Sequence, residues 1–189
     1  VLMEVYPIFP TLVSTSTIDV GVDFFRLKTE DTQNIWVLNE YPDIHNQIIK
    51  EFYRFKNDVL KLSTVNFKIT TSWMTRTNKN ESSHFHNHKN SYYSGVLYFE
   101  DYDSGNLIFK TILNNLSGMY VGAPDESTSE RHETFYIQPR KNLVVFFPSY
   151  LEHKIDTYTG DSLRYSLAFN IHPVGIYGDG DSRMHVPIN

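Results

Sequence analysis

The chain has 189 residues, 40% of them hydrophobic and 15% aromatic, with a formal charge of -5 and no cysteine. That length buries one sizeable core, while the acidic balance and the lack of a basic stripe speak against a nucleic-acid surface. Without cysteine there is no disulfide, thiolate metal site or cysteine nucleophile, so any metal must be held by histidine, carboxylate or water.

The longest apolar run, Leu143 to Phe147, falls far short of the roughly 20 residues a membrane span needs. The N-terminus shows no basic segment leading into an apolar one. These features predict a soluble, cytoplasmic protein with one domain over residues 1–189.

Taken in order, Val5 to Val13 is apolar but broken by Pro7 and Pro10, which predicts an edge strand, with Ser14 to Thr17 as a polar turn. Ile44, Ile48, Ile49, Phe52, Phe55, Val59 and Leu60 recur at helical spacing behind Pro42 and Asp43, predicting one long supporting helix over 43–62. From Val65 the rhythm changes to two: Val65, Phe67, Ile69, Thr71 and Trp73 alternate with polar residues, as in a half-buried strand. Trp36, Trp73 and the Phe-rich strands read as core.

Further strands are expected at Ser94 to Phe99, Leu107 to Lys110, Thr134 to Gln138, Leu143 to Phe147, His153 to Thr157 and Leu163 to Ile171, each bounded by turn residues. Asn114 to Arg131 is polar and weakly periodic, long enough for a flap over a site. Short strands at close spacing behind one helix predict a mainly β fold, an antiparallel sandwich or barrel of jelly-roll type.

Chemistry concentrates in His84-Phe85-His86-Asn87-His88, where alternate residues of an extended segment share a face and any two imidazoles can grip one metal ion. His153 follows far downstream, shortly after the apolar run Leu143 to Phe147. Arg164 comes eleven residues later, two before Ser166 on the next strand. Imidazole suits several transition metals, so the histidines alone do not name one. Arginine grips carboxylates through paired charge-assisted hydrogen bonds, and Arg164 with Ser166 would hold one end of a dicarboxylate whose other end chelates the metal. That arrangement is the one expected for 2-oxoglutarate.

Three segments carry a resemblance. They are His86-Asn87-His88-Lys89-Asn90-Ser91-Tyr92-Tyr93-Ser94-Gly95-Val96-Leu97-Tyr98, Phe147-Pro148-Ser149-Tyr150-Leu151-Glu152-His153, and Arg164-Tyr165-Ser166-Leu167-Ala168-Phe169-Asn170. In this order, over roughly residues 65–173, the chain resembles the small 2OG-Fe(II) oxygenases that are distantly similar to prolyl hydroxylases. The resemblance implies a double-stranded β-helix with His86 and His153 as iron ligands and Arg164 as the 2-oxoglutarate anchor. Tyr93, Tyr98 and Asn170 are placed where they would line the co-substrate pocket. It also implies consumption of O2 and decarboxylation of 2-oxoglutarate to succinate and CO2, coupled to oxidation of a substrate, by analogy a peptidyl or prolyl one.

One position departs from the superfamily's usual pattern, which has a carboxylate two residues after the first histidine. Here His88 stands there and is expected as the third ligand. The alternatives are a water or halide, or a carboxylate from Glu81, Asp101 or Asp103. His84 reads as solvated or supporting, and His45, His132, His172 and His185 as surface groups.

Two rivals remain at this point. A cupin-type metal protein would want a Glu soon after the histidine pair, where Tyr92 and Tyr93 stand, and gives Arg164 no task. A catalytically silent jelly-roll binding module would use the histidines structurally.

Overall fold

The computed structural model describes residues 10–21, 33–111 and 134–187. The candidate flap Asn114 to Arg131, His132 and the first part of the expected Val5 to Val13 strand lie outside them. Pro42 opens helix α1 (Pro42–Asp58), with Asp43 in its first turn, and α1 buries Ile44, Ile48, Phe52 and Phe55 along one stripe. The expected end at residue 62 is too late, because Lys61 turns into the left-handed region (φ 58°) and the chain leaves the helix axis.

The strands are β1 (Ser14–Thr17), β2 (Asn66–Thr77), β3 (Tyr93–Tyr98), β4 (Leu107–Lys110), β5 (Thr134–Ile137), β6 (Leu143–Pro148), β7 (His153–Ile155), β8 (Arg164–Tyr177) and β9 (Met184–Val186). Among the described residues they form an antiparallel sheet in the order β1-β6-β3-β8-β2, with β9 also paired to β8, and a second sheet in the order β5-β4-β7. The layout is the expected mainly β, jelly-roll arrangement with one supporting helix.

Period-two alternation gives the large sheet two working faces. One face sends Leu97, Val144, Phe146, Leu167, Phe169 and Ile171 against Ile44, Ile48 and Phe52 of α1. The other sends Val96, Tyr98, Val145 and Phe147 against Leu107 and Phe109 of the small sheet. The site lies between the sheets, so residues on this second face matter for chemistry.

A bulge decides which β2 residues reach it. Strict alternation from Phe67 would keep Thr71 and Trp73 on the helix side. Instead Ile69 pairs with Ile171 and Thr71 with Asn170, leaving Thr70 as the extra residue. The extra residue reverses the alternation, so Thr71 and Trp73 face inward while Phe67 and Ile69 stay with the helix-side core. Trp73 is therefore half-buried beside the site instead of lying in the main core.

Other expectations need correction. The edge strand is Ser14–Thr17, the segment read as a turn; it pairs with β6, and Ser16 Oγ donates to Glu51 of α1. An edge position tolerates such polar alternation because one face stays wet. Trp36 is 56% exposed, at an isolated bridge to Ser72, and Phe135 and Tyr136 of β5 are exposed too. The last strand runs past Ile171 to Tyr177 and pairs with β9, which period alone does not suggest across Pro173 and Gly175. No helix among the described residues is long and apolar enough to cross a membrane.

Candidate metal centre and co-substrate pocket

His86 forms an isolated antiparallel bridge with His153, each backbone N–H donating to the other's carbonyl at 3.0 Å. This extends the small sheet beyond β7 and fixes two histidines, far apart in sequence, side by side. His88 N donates to Ser149 O at 2.9 Å, which ties the end of the same segment to the turn after β6. The candidate ligand atoms of His86, His88 and His153 lie within 4.8 Å of one another. The three ring centroids are 4.4 Å (86–153), 5.2 Å (88–153) and 5.4 Å (86–88) apart.

Each imidazole is oriented through Nδ1. His86 Nδ1 lies 2.9 Å from His84 O, and His153 Nδ1 lies 2.9 Å from Leu151 O. A carbonyl only accepts, so in both rings Nδ1 carries the proton and Nε2 is left as a ligand. His88 Nδ1 lies 2.6 Å from Asn170 Oδ1 and 3.0 Å from Ser94 Oγ. Burial, reinforced by the neighbouring rings and opposed by the hydrogen bond to Leu151, lowers the His153 pKa to about 4. Burial also lowers that of His88, against the opposing effect of Asn170. Both rings are thus held neutral, the form that binds metal.

Among the described residues, no carboxylate joins this cluster. Glu81 is engaged with the backbone and side chain of Asn78, and Asp101 accepts from Lys141 N. Among the described residues, the only group of three or more potential metal-binding side chains is His86, His88 and His153.

Deeper between the sheets, Arg164 is 0% exposed, and all three of its guanidinium nitrogens lack a hydrogen-bond partner among the described residues. The Tyr98 hydroxyl and Asn106 Oδ1 are buried without partners as well. The guanidinium carbon lies 5.2 Å from the Tyr98 ring centroid and 5.8 Å from that of Tyr102. Burial pushes the Tyr98 phenol up to about 12, opposed by the Arg164 charge. Gly105, at φ +70°, lets the chain pass Arg164, since a Cβ there would stand 3.1 Å from both its Cδ and Nε. Ser166 is buried on the same face as Arg164, two residues along β8.

The remaining sequence-stated candidates divide. Tyr93 falls on the helix-side face, with its ring 5.5 Å from Phe52 and 5.8 Å from Phe55, because its position in β3 is odd where that of Tyr98 is even. Asn170 sits against His88, with its amide nitrogen donating to Thr71 Oγ1 at 3.0 Å. Sequence reasoning passed over Thr71, Ser94 and Ser149, although Ser94 and Ser149 lie inside the quoted motifs. A cavity of about 460 Å³ opens beside His88, lined by Asn87, Lys89, Tyr92, Tyr93, Pro148 and Tyr150 among others, with no carboxylate among the described residues of its wall.

A protein-family model described as "Putative 2OG-Fe(II) oxygenase" matches residues 71–170. The chain belongs to the 2OG-Fe(II) oxygenase family. It is accordingly an enzyme whose cofactors are Fe(II) and 2-oxoglutarate. Among solved structures it is similar to HygX from Streptomyces hygroscopicus with iron bound, at 14% identity over 86% of this chain and 83% of HygX, with a TM-score of 0.53. That likeness is one of fold, the double-stranded β-helix.

Two further structures are more remote. One is an oxidoreductase of the 2OG-Fe(II) oxygenase family from Burkholderia pseudomallei, at 15% identity over 64% of this chain and 51% of that one, with a TM-score of 0.46. The other is a Pseudomonas putida prolyl-4-hydroxylase, at 17% identity over 61% and 56%, with a TM-score of 0.40. The oxygenase thus spans little more than half the length of these two. The comparison with curated proteins yields no match.

The residues present fit the family's cofactors. Three imidazoles converge for a metal, and a buried cation with no hydrogen-bond partner among the described residues calls for an anion.

Proposed function

We propose that His86, His88 and His153 hold Fe(II) through Nε2, and that Arg164 receives the distal carboxylate of 2-oxoglutarate. The Tyr98 hydroxyl and Ser166 stand on the same inward face to complete that end of the pocket. Iron held there would supply activation of O2, coupled to oxidative decarboxylation of 2-oxoglutarate to succinate and CO2. The outcome is hydroxylation of an organic substrate, a peptidyl one by analogy, that approaches through the cavity beside His88.

The chain's own residues do the positioning. The Nδ1 bonds orient the imidazoles, and the apolar wall of Phe109, Phe147 and Leu151 keeps water from the buried side of His153. The carrying observation is Arg164: a fully buried guanidinium with no hydrogen-bond partner among the described residues is costly, and a carboxylate offsets that cost by two parallel bonds.

Anaerobic titration with Fe(II) and 2-oxoglutarate tests this reading. A weak visible charge-transfer band should appear only with both additions and be absent in Arg164→Ala. A band that needs iron alone, or that survives the substitution, removes the assignment of Arg164.

A further inference from the structure

His86 and His153 obtain their tautomer from the main chain, each through the carbonyl two residues before it. His88 has no such carbonyl among the described residues. Its Nδ1 faces an amide and a hydroxyl, groups that either donate or accept. If the Asn170 amide were turned over, its NH2 would donate to Nδ1, the His88 proton would move to Nε2, and the ring would have no lone pair to offer. The orientation of one amide therefore decides whether His88 is a ligand.

We propose that Asn170 is the positioning residue for His88: by presenting Oδ1, it holds the proton on Nδ1 and frees Nε2 for the metal. The inference rests on the assignment of His88 as a ligand made above.

A continuous network supports this orientation. Asn170 Oδ1 accepts from His88 Nδ1 at 2.6 Å and from Ser94 Oγ at 2.8 Å, while Asn170 Nδ2 donates to Thr71 Oγ1 at 3.0 Å. Ser94 gives its one proton to Asn170, so it accepts from Ser149 Oγ at 2.8 Å. The sheet builds this row: Asn170 of β8 pairs with Ser94 of β3 on one side and with Thr71 of β2 on the other. The β2 bulge brings Thr71 onto this face, so the bulge helps set the state of His88. The network gives the serine of S-G-V, the serine of F-P-S and the final asparagine of R-x-S-x-x-F-N a shared task at the position where the superfamily usually has a carboxylate.

The test uses Asn170→Asp, which only accepts at neutral pH and above, and Asn170→Leu, which makes no hydrogen bond. Imidazole 15N NMR of the metal-free protein at pH 8 reads the tautomer directly, and Co(II) titration reads affinity. Wild type and Asn170→Asp should show His88 protonated on Nδ1, and Asn170→Leu should show it protonated on Nε2. Co(II) binding should weaken about 10- to 100-fold in Asn170→Leu and be retained in Asn170→Asp.

An Nε2-protonated His88 in wild type overturns the proposal whatever the variants do. So does an unchanged tautomer or unchanged Co(II) affinity in Asn170→Leu. Should Asn170→Leu not fold, loss of the Nδ1 proton in Asn170→Asp overturns it equally. His88→Ala separates the two readings: if it binds Co(II) as wild type does, the ligand assignment has failed and not the role of Asn170.

Discussion

The Arg164 guanidinium lies 5.2 Å from the Tyr98 ring centroid, and neither the guanidinium nor the Tyr98 hydroxyl has a hydrogen-bond partner among the described residues. A cation over a ring face gains about 2 kcal/mol when desolvated, less than a buried charge loses on leaving water. Tyr102 and Tyr158 do not relieve this. The Tyr102 hydroxyl is committed to Glu100 and to the backbone of Tyr165, and the Tyr158 hydroxyl to Ser162. The pocket is thus strained electrostatically in favour of an anion, a feature that the cupin reading leaves without purpose.

Arg164→Met should therefore separate stability from binding. The cofactor-free variant is expected to be as stable as wild type or up to about 4 kcal/mol more stable, because an unpaired buried charge is replaced by an apolar chain. In wild type, 2-oxoglutarate at 100 times its Kd, with Fe(II) present, should add about 2.7 kcal/mol. The variant should show none of this gain, as measured by denaturant unfolding with and without the acid.

The parts of this design that follow period and spacing were legible in the sequence. The alternation of β8 placed Arg164 and Ser166 on one face, and the histidine spacing placed two rings together, while Tyr98 was named through the family resemblance. The bulge at Thr70 was not legible, because nothing in the Ile69-Thr70-Thr71 run distinguishes an extra residue from a regular one, and the pairing with β8 decides it. Trp73 was misplaced for this reason; its ring stands 5.7 Å from that of His88. Ser14–Thr17 was missed because edge pairing is satisfied by backbone groups, which leave no apolar signature. The bonds of Asn170 to His88 and Thr71 were not legible, because a side chain shared between strands depends on register, not on its own neighbours in sequence.

Lys56 is 1% exposed, and its Nζ donates to Leu62 O, Ser63 O and Val65 O at 2.7, 3.1 and 2.6 Å. One cation thereby satisfies carbonyls of the connection from α1 into β2 and complements the negative end of the helix. Lys56→Met should fill similar space yet remove all three bonds, leaving Val65 O without this donor while Leu62 O keeps only the backbone N–H of Val65 at 3.2 Å. A loss of about 3 kcal/mol in denaturant unfolding is expected, with iron and 2-oxoglutarate binding retained.

Gly95 has a packing reason to be glycine. A Cβ there would stand 2.4 Å from the Phe169 ring and 2.5 Å from Val145 O, on the helix-side face. The ring can give way but the backbone of β6 cannot without breaking its pairing with β3. Gly95→Ala should cost about 3 kcal/mol of stability, the upper range for overpacking. Trimming the ring in Gly95→Ala/Phe169→Leu should recover only the part owed to Phe169, because the contact with Val145 O persists.

The depressed pKa of His153 makes the metal-free protein acid-sensitive in a defined window. The unfolded chain takes up a proton at this residue below its ordinary 6.5, whereas the folded protein resists until about 4. Protons therefore favour the unfolded state between these values, so the stability is fully present above 6.5 and lost as the pH falls toward 4. Between pH 8 and pH 5 the loss from this residue should be about 2 kcal/mol. His88 adds to it in the same direction, since its pKa is also lowered. His153→Gln should flatten the profile by its share, and a metal held by the neutral rings should deepen the dependence by competing with protons. Urea unfolding at pH 8 and pH 5, with and without Co(II), measures all three; a wild-type profile as flat as that of His153→Gln would show that the buried ring is not held neutral.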